Sequence, residues 1–102
     1  MKTELDRKDQ LTYLAGYMAS RKAKVERFGP IVSLAMWVRD GEYGWCQHML
    51  DRYGGGLIWR QKYLVWSLAG QSAIDLLHEV LPIVDHYTPD LGEHIRSVLE
   101  GA

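Results

Sequence analysis

Four histidines, one cysteine and a scatter of basic residues are the side chains whose types could do chemistry in this sequence. A metal site on a helix asks for two histidines, or a histidine and a cysteine, at a spacing that puts both on one face. His48 and His94 stand apart, and His78–Glu79 and Asp85–His86 lack a clean two-histidine spacing. No metal site and no cofactor is expected from them. Cys46 has no paired base near it in sequence to draw off its proton, so it reads as a buried structural thiol rather than a nucleophile. Ser67 and Ser72 belong to no nucleophile motif. No catalytic residue emerges.

The basic residues say more. Arg21, Lys22, Lys24, Arg27, Arg39, Arg60 and Lys62 are the right types to contact phosphates. Their plainer reading is a solvated rim. Trp37, Trp59 and Trp66 are the right type for an apolar interaction face or a stacking platform. Their plainer reading is core packing.

Composition bounds these readings. At 102 residues the chain suits one domain, residues 1–102, with a modest core that dimerisation would help. The net charge of -1 gives no general attraction to nucleic acid, so a DNA-binding surface must come from local clustering. One cysteine allows no intrachain disulfide. The start, MKTELDRKDQ, is charged and shows no signal peptide, and no apolar run reaches the roughly 18 residues of a membrane span. These features predict a cytoplasmic protein that does not enter a membrane.

The elements that must position these side chains follow from periodicity. Asp9 is expected to cap a helix over about Gln10 to Ser20, with Leu11, Leu14, Ala15 and Met18 at helical spacing. Within it, Ala15 with Ala19 and Gly16 with Ser20 are small residues four apart, which lets another helix backbone come close. Two strands flank Gly29–Pro30: a short one from about Lys22 to Phe28, and a clear one with Val32, Leu34, Met36 and Val38 on one face. Trp45, Met49 and Leu50 indicate a helix that Gly54–Gly55–Gly56 ends. LIWRQ and YLVWSL read as strands joined near Gln61–Lys62. QSAIDLLHEVLPIV reads as a helix, with Ile74, Leu77, Val80 and Leu81 on one face, and Thr88–Pro89 opens a last one. The order αββαββαα, with strands in hairpins, predicts an α+β fold: a mainly antiparallel sheet with helices on one face.

That order, with YLAG on the first helix, resembles one half of the LAGLIDADG homing-endonuclease fold. The resemblance covers about Leu11 to Tyr87 and rests on three blocks in sequence: LTYLAGYM, VSLAMWVRDGEYGWCQHMLDRYGGGLIW and YLVWSLAGQSAIDLLHEVLPIV. It implies a homodimer of the single-motif type, paired through the first helix by Leu11, Leu14, Ala15, Gly16, Ala19 and Ser20, with two sheets forming a saddle over double-stranded DNA. It also implies an acidic residue at the foot of that helix, holding a divalent metal for phosphodiester cleavage.

The catalytic part of the pattern is changed. LAGYMASRK stands where LAGLIDADG is expected, so Arg21 holds the metal-binding acid's position and Ala19 replaces the other acid. A guanidinium cannot ligate a magnesium ion, which needs oxygen donors. Tyr87 stands where the family's lysine usually lies, and Asp40 is near the place of another polar helper. The family-like register would turn Ala35, Trp37, Leu57, Trp59, Leu64 and Trp66 outward. The opposite register for the third strand would expose Arg60 and Lys62 instead, since a one-residue slip exchanges the faces. Three functions follow: a non-cleaving, homodimeric DNA-binding protein of regulatory type; a protein-interaction or structural module that keeps only the fold; or an active metal-dependent DNA endonuclease using relocated carboxylates such as Asp40. The first is the expectation.

Overall fold

The computed structural model describes residues 7–101. Eight elements run in the expected order: α1 (Arg7–Ser20), β1 (Lys24–Phe28), β2 (Ile31–Val38), α2 (Tyr43–Tyr53), β3 (Gly56–Arg60), β4 (Tyr63–Ala69), α3 (Gln71–Tyr87) and α4 (Pro89–Glu100). Asp9, expected as the cap of α1, lies inside its first turn instead. The fold is α+β, with one four-stranded antiparallel sheet in the order β1-β2-β4-β3.

The sheet has a helix-covered face because β2 and β4 alternate in register. Leu34 lies opposite Val25 on one side and Leu68 on the other, Met36 opposite Trp66, and Val38 opposite Leu64. All except half-buried Leu64 are buried. Helix α3 covers β2 and β4, α1 packs on α3, and α4 packs on α3 and β1. Leu11, Leu14, Ala15 and Met18 of α1 and Leu77, Val80 and Ile95 of the last two helices close the core.

Three local features explain why the chain folds this way. Trp66 is wholly buried, and its Nε1–H donates to the Gly54 carbonyl at 2.9 Å, so the indole carries no unpaired polar edge into the core. Gly55, at φ +86°, passes so close that a Cβ there would meet the Ser67 carbonyl oxygen at 2.5 Å. The glycine run after α2 therefore does more than stop a helix: it lets β3 begin against β4. Finally, α3 continues through Pro82 to Tyr87, beyond the expected Val84. Pro82 has no N–H to pair with the carbonyl of His78, four residues earlier, and both residues are exposed.

β3 is the uncovered edge. Leu57 and Trp59 point to the helix side, opposite Trp66 and Leu64, and Ile58 points the other way, opposite Val65. All three are exposed. No helix among the described residues is long and apolar enough to cross a membrane.

Candidate nucleic-acid interface

The outward face of the sheet is built by the residues that alternate with the core. β1 contributes Lys24 and Glu26, β2 contributes Ala35 and Trp37, and Val65 and Arg60 come from β4 and β3. Trp37 lies opposite Val65, which brings Tyr63, two residues before Val65, diagonally beside it. The two rings stack, with centroids 4.8 Å apart and planes within 10°. In front of them is a concavity of about 460 Å³, floored by Ala35, Trp37 and Val65 and walled by Lys22, Lys24, Arg39 and Arg60. Among the described residues none of these four cationic side chains enters an ion pair or a side-chain hydrogen bond. Among the described residues Glu26 is the one carboxylate on the lining.

Two of the seven expected phosphate contacts have their donors engaged within the protein. Arg21 reaches the concavity, but only 10% of its side chain is exposed and its donors are engaged within the protein. Nη1 and Nη2 donate to the Glu42 carboxylate at 2.7 and 2.9 Å, Nη1 also reaches the Trp37 carbonyl at 3.2 Å, and the guanidinium lies 3.8 Å from the Trp45 ring centre. Arg27 points to the helix side, opposite Val32, and donates to the Val98 and Leu99 carbonyls at 2.8 and 3.3 Å. It completes the last turn of α4, whose carbonyls lack partners within the helix. Lys62 is exposed in the β3–β4 turn. The structure thus gathers Lys22, Lys24, Arg39 and Arg60, leaves Lys62 beside them in sequence, and removes Arg21 and Arg27 to structural duties.

The three tryptophans do not form one surface. Trp37 is 57% exposed on the outward face, and Trp59 is 72% exposed on the helix side of the β3 edge. Trp66 belongs to the core. The pairing of β3 with β4 sets this parity: it turns Ile58 and Arg60 outward and Leu57 and Trp59 away, so the family-like register fails for β3 and β4.

The helix expected to pair two chains is likewise divided. Leu11, Leu14 and Ala15 are buried in the chain's own core. The physical reason is that α1 has one apolar stripe and α3 takes it. Gly16, Ala19 and Ser20 are exposed, and nothing lies within 4 Å of where a Gly16 Cβ would be.

No family model matches the chain, and no curated protein does.

The donor set at the foot of α1 does not fit a divalent cation. Ala19 offers no donor, Arg21 brings a positive charge, and both Glu42 oxygens accept from that arginine. The hydrogen bond from Arg21 comes first in holding the Glu42 carboxyl below the usual carboxylate range. Asp40 is exposed in the turn after β2, and Tyr87 is exposed at the end of α3. Among the described residues no three His, Cys, Asp or Glu side chains converge as a metal site would need. His94 donates from Nε2 to the Val25 carbonyl at 2.8 Å. His48 accepts at Nδ1 from Arg52 Nε at 3.2 Å, with its ring edge-on to Tyr17 and Tyr53. Cys46 is buried, and burial first of all pushes its thiol up.

Two residues that shape this face carried no signal of their own in the sequence: Tyr63 and Glu42. Tyr63 is legible only once β4 is in register with β2, since it then shares the outward parity of Val65. Glu42 follows Arg39 by three residues in a turn, and its partner Arg21 is far away in sequence.

The near-neutral net charge conceals a division. Between Gln71 and Glu100, on α3 and α4, six acidic side chains face a single basic one, Arg96. Between Arg21 and Lys62 there are eight basic side chains against four acidic ones. The sheet half is the basic half, which is the asymmetry a polyanion would select.

Proposed function

We propose that this protein is a non-cleaving, DNA-binding protein that acts as a homodimer on a homing-endonuclease-like fold, with the outward face of the sheet as its DNA surface. The observation that carries this reading is the convergence of Lys22, Lys24, Arg39 and Arg60, none of them in a salt bridge among the described residues, around one concavity. Phosphate contacts from such side chains position a protein on a duplex without reading its sequence. The αββαββαα order on which the resemblance rests is the order of the elements, and the sheet is antiparallel. A second copy would have to use the exposed side of α1, with Tyr13, Gly16, Ala19 and Ser20, rather than the apolar stripe. Cleavage is not proposed, because Arg21 and Ala19 stand where acids would be needed.

The test is a comparison of variants that separates surface from scaffold. Replacing Arg39 and Arg60 together by Ala should weaken duplex binding and flatten its salt dependence by about one unit of log–log slope per lost contact. Arg27→Ala, on the helix side, should leave binding of the folded protein unchanged. Equal loss in both variants would show that the outward sheet face is not the DNA surface. Dimerisation is tested by sedimentation, where Gly16→Leu should shift the protein to monomer.

One observation favours a second reading, a protein-interaction module. Leu57, Ile58 and Trp59 expose three consecutive large apolar side chains on an edge strand, the kind of edge that proteins usually shield with charge or cover. In that case Trp59→Ala should abolish a protein contact and leave any DNA binding untouched.

A further inference from the structure

We propose that the concavity on the outward face receives an unpaired nucleotide, its base stacked on Trp37 and its phosphate held by the surrounding cations. This rests on the reading that the outward face binds DNA. Duplex contact alone needs charges along a backbone; it does not need an exposed aromatic plane among them. Here the indole is 57% exposed and Tyr63 stacks on it at 4.8 Å with planes 10° apart. Trp37 lines the concavity and Tyr63 does not, so the indole offers the concavity surface that the phenol does not cover. The phenol backs the indole and holds its plane, so little side-chain freedom is lost when a base arrives.

The rest of the lining fits the same ligand. The volume of about 460 Å³ lies within the roughly 300–1,000 Å³ of small-ligand sites. The floor of Ala35 and Val65 is apolar and small, which leaves room for a flat ring above it. Lys24 and Arg60 come from opposite edge strands of the sheet, so cations stand on two sides of the base position. An aromatic face ringed by cations matches an aromatic anion, and every nucleotide is one. The chemistry is the same whether the nucleotide is everted from a duplex or belongs to a single strand.

The probes are a perfect duplex, the same duplex with one extrahelical adenine, the same duplex with an abasic site in place of that adenine, and the adenine-containing strand alone. Binding is measured by anisotropy for the intact protein, for Trp37→Ala and for Trp37→Phe. The expected result is that the adenine bulge binds roughly tenfold tighter than the perfect duplex, that the abasic bulge loses this preference, and that Trp37→Ala erases it while keeping affinity for the perfect duplex. Trp37→Phe, which keeps an aromatic plane, should retain most of it. Tight binding of the single strand without binding of any duplex would support the pocket and overturn the duplex reading. Equal binding of perfect, bulged and abasic duplexes would overturn the pocket and leave the duplex reading standing. Absence of binding to all four probes would overturn both.

Discussion

Arg21 and Glu42 are joined by two hydrogen bonds of 2.7 and 2.9 Å, and the same guanidinium lies over Trp45 and touches the Trp37 carbonyl. One side chain therefore ties the end of α1 to the end of β2 and to the first turn of α2. Arg21→Ala should destabilise the protein, with about 1–2 kcal/mol attributable to the lost contact with the indole face alone. Glu42→Gln should destabilise as well, because it leaves a largely buried guanidinium facing a neutral amide. Glu42 is held below the usual carboxylate range, first by the Arg21 hydrogen bond. A carboxyl lowered by folding contributes stability that is present above its unfolded value and is lost as pH falls through its folded value. Urea titrations across the acid range should therefore show a smaller loss of stability in Glu42→Gln than in the parent.

His48 should give a separate, earlier acid step. Burial is the main force holding its imidazole below the ordinary value of about 6.5, Arg52 adds to it, and Asp51 opposes it. Its Nε2 has no partner among the described residues, and its ring is flanked by Tyr17 and Tyr53. Folded His48 resists protonation while unfolded His48 accepts it, so stability should begin to fall as pH drops below about 6.5 and should stop falling once the folded ring also protonates. His48→Phe should remove that step and leave the carboxylate step at lower pH in place. Stability against pH for the two proteins checks this.

Two helical glycines should respond in opposite ways to alanine. At Gly16 a Cβ would meet nothing within 4 Å, so Gly16→Ala should stabilise the monomer by about 0.5–1 kcal/mol through helix propensity. At Gly92 a Cβ would run into the Asp85 carboxylate and lie 3.0 Å from the Asp85 Cα, where α4 crosses α3 and Asp85 pairs with Arg96. Gly92→Ala should cost about 1–3 kcal/mol despite its better propensity, because the backbones cannot move apart freely. Thermal unfolding of both variants tests the pair.

The elements were legible in the sequence because each carries its own period. Val32, Leu34, Met36 and Val38 alternate, and the core face of β2 is the one that they predict. What the sequence left open was parity between strands. LIWRQ is apolar on both faces, and only its pairing with β4 decides that Ile58 and Arg60 face outward and Leu57 and Trp59 do not. Arg27 and Arg21 misled for a related reason. A basic side chain near a strand end looks like a surface charge until the helix carbonyls or the carboxylate that engage it are brought near by the fold. The small residues of α1 showed a close-packing pattern, but the same helix has to bury Leu11, Leu14 and Ala15 in its own domain. Composition could not show the basic sheet half, because α3 and α4 carry the compensating acids.

The claim that the outward sheet face binds DNA is tested most directly by the affinity of the unmodified protein for random-sequence duplex over a range of salt concentrations. The expected result is binding at low salt with a dissociation constant on the order of micromolar to tens of micromolar, and a log–log slope of about -0.9 for each phosphate neutralised by Lys22, Lys24, Arg39 and Arg60. A flat salt dependence, or no binding at tens of micromolar protein in low salt, would contradict it.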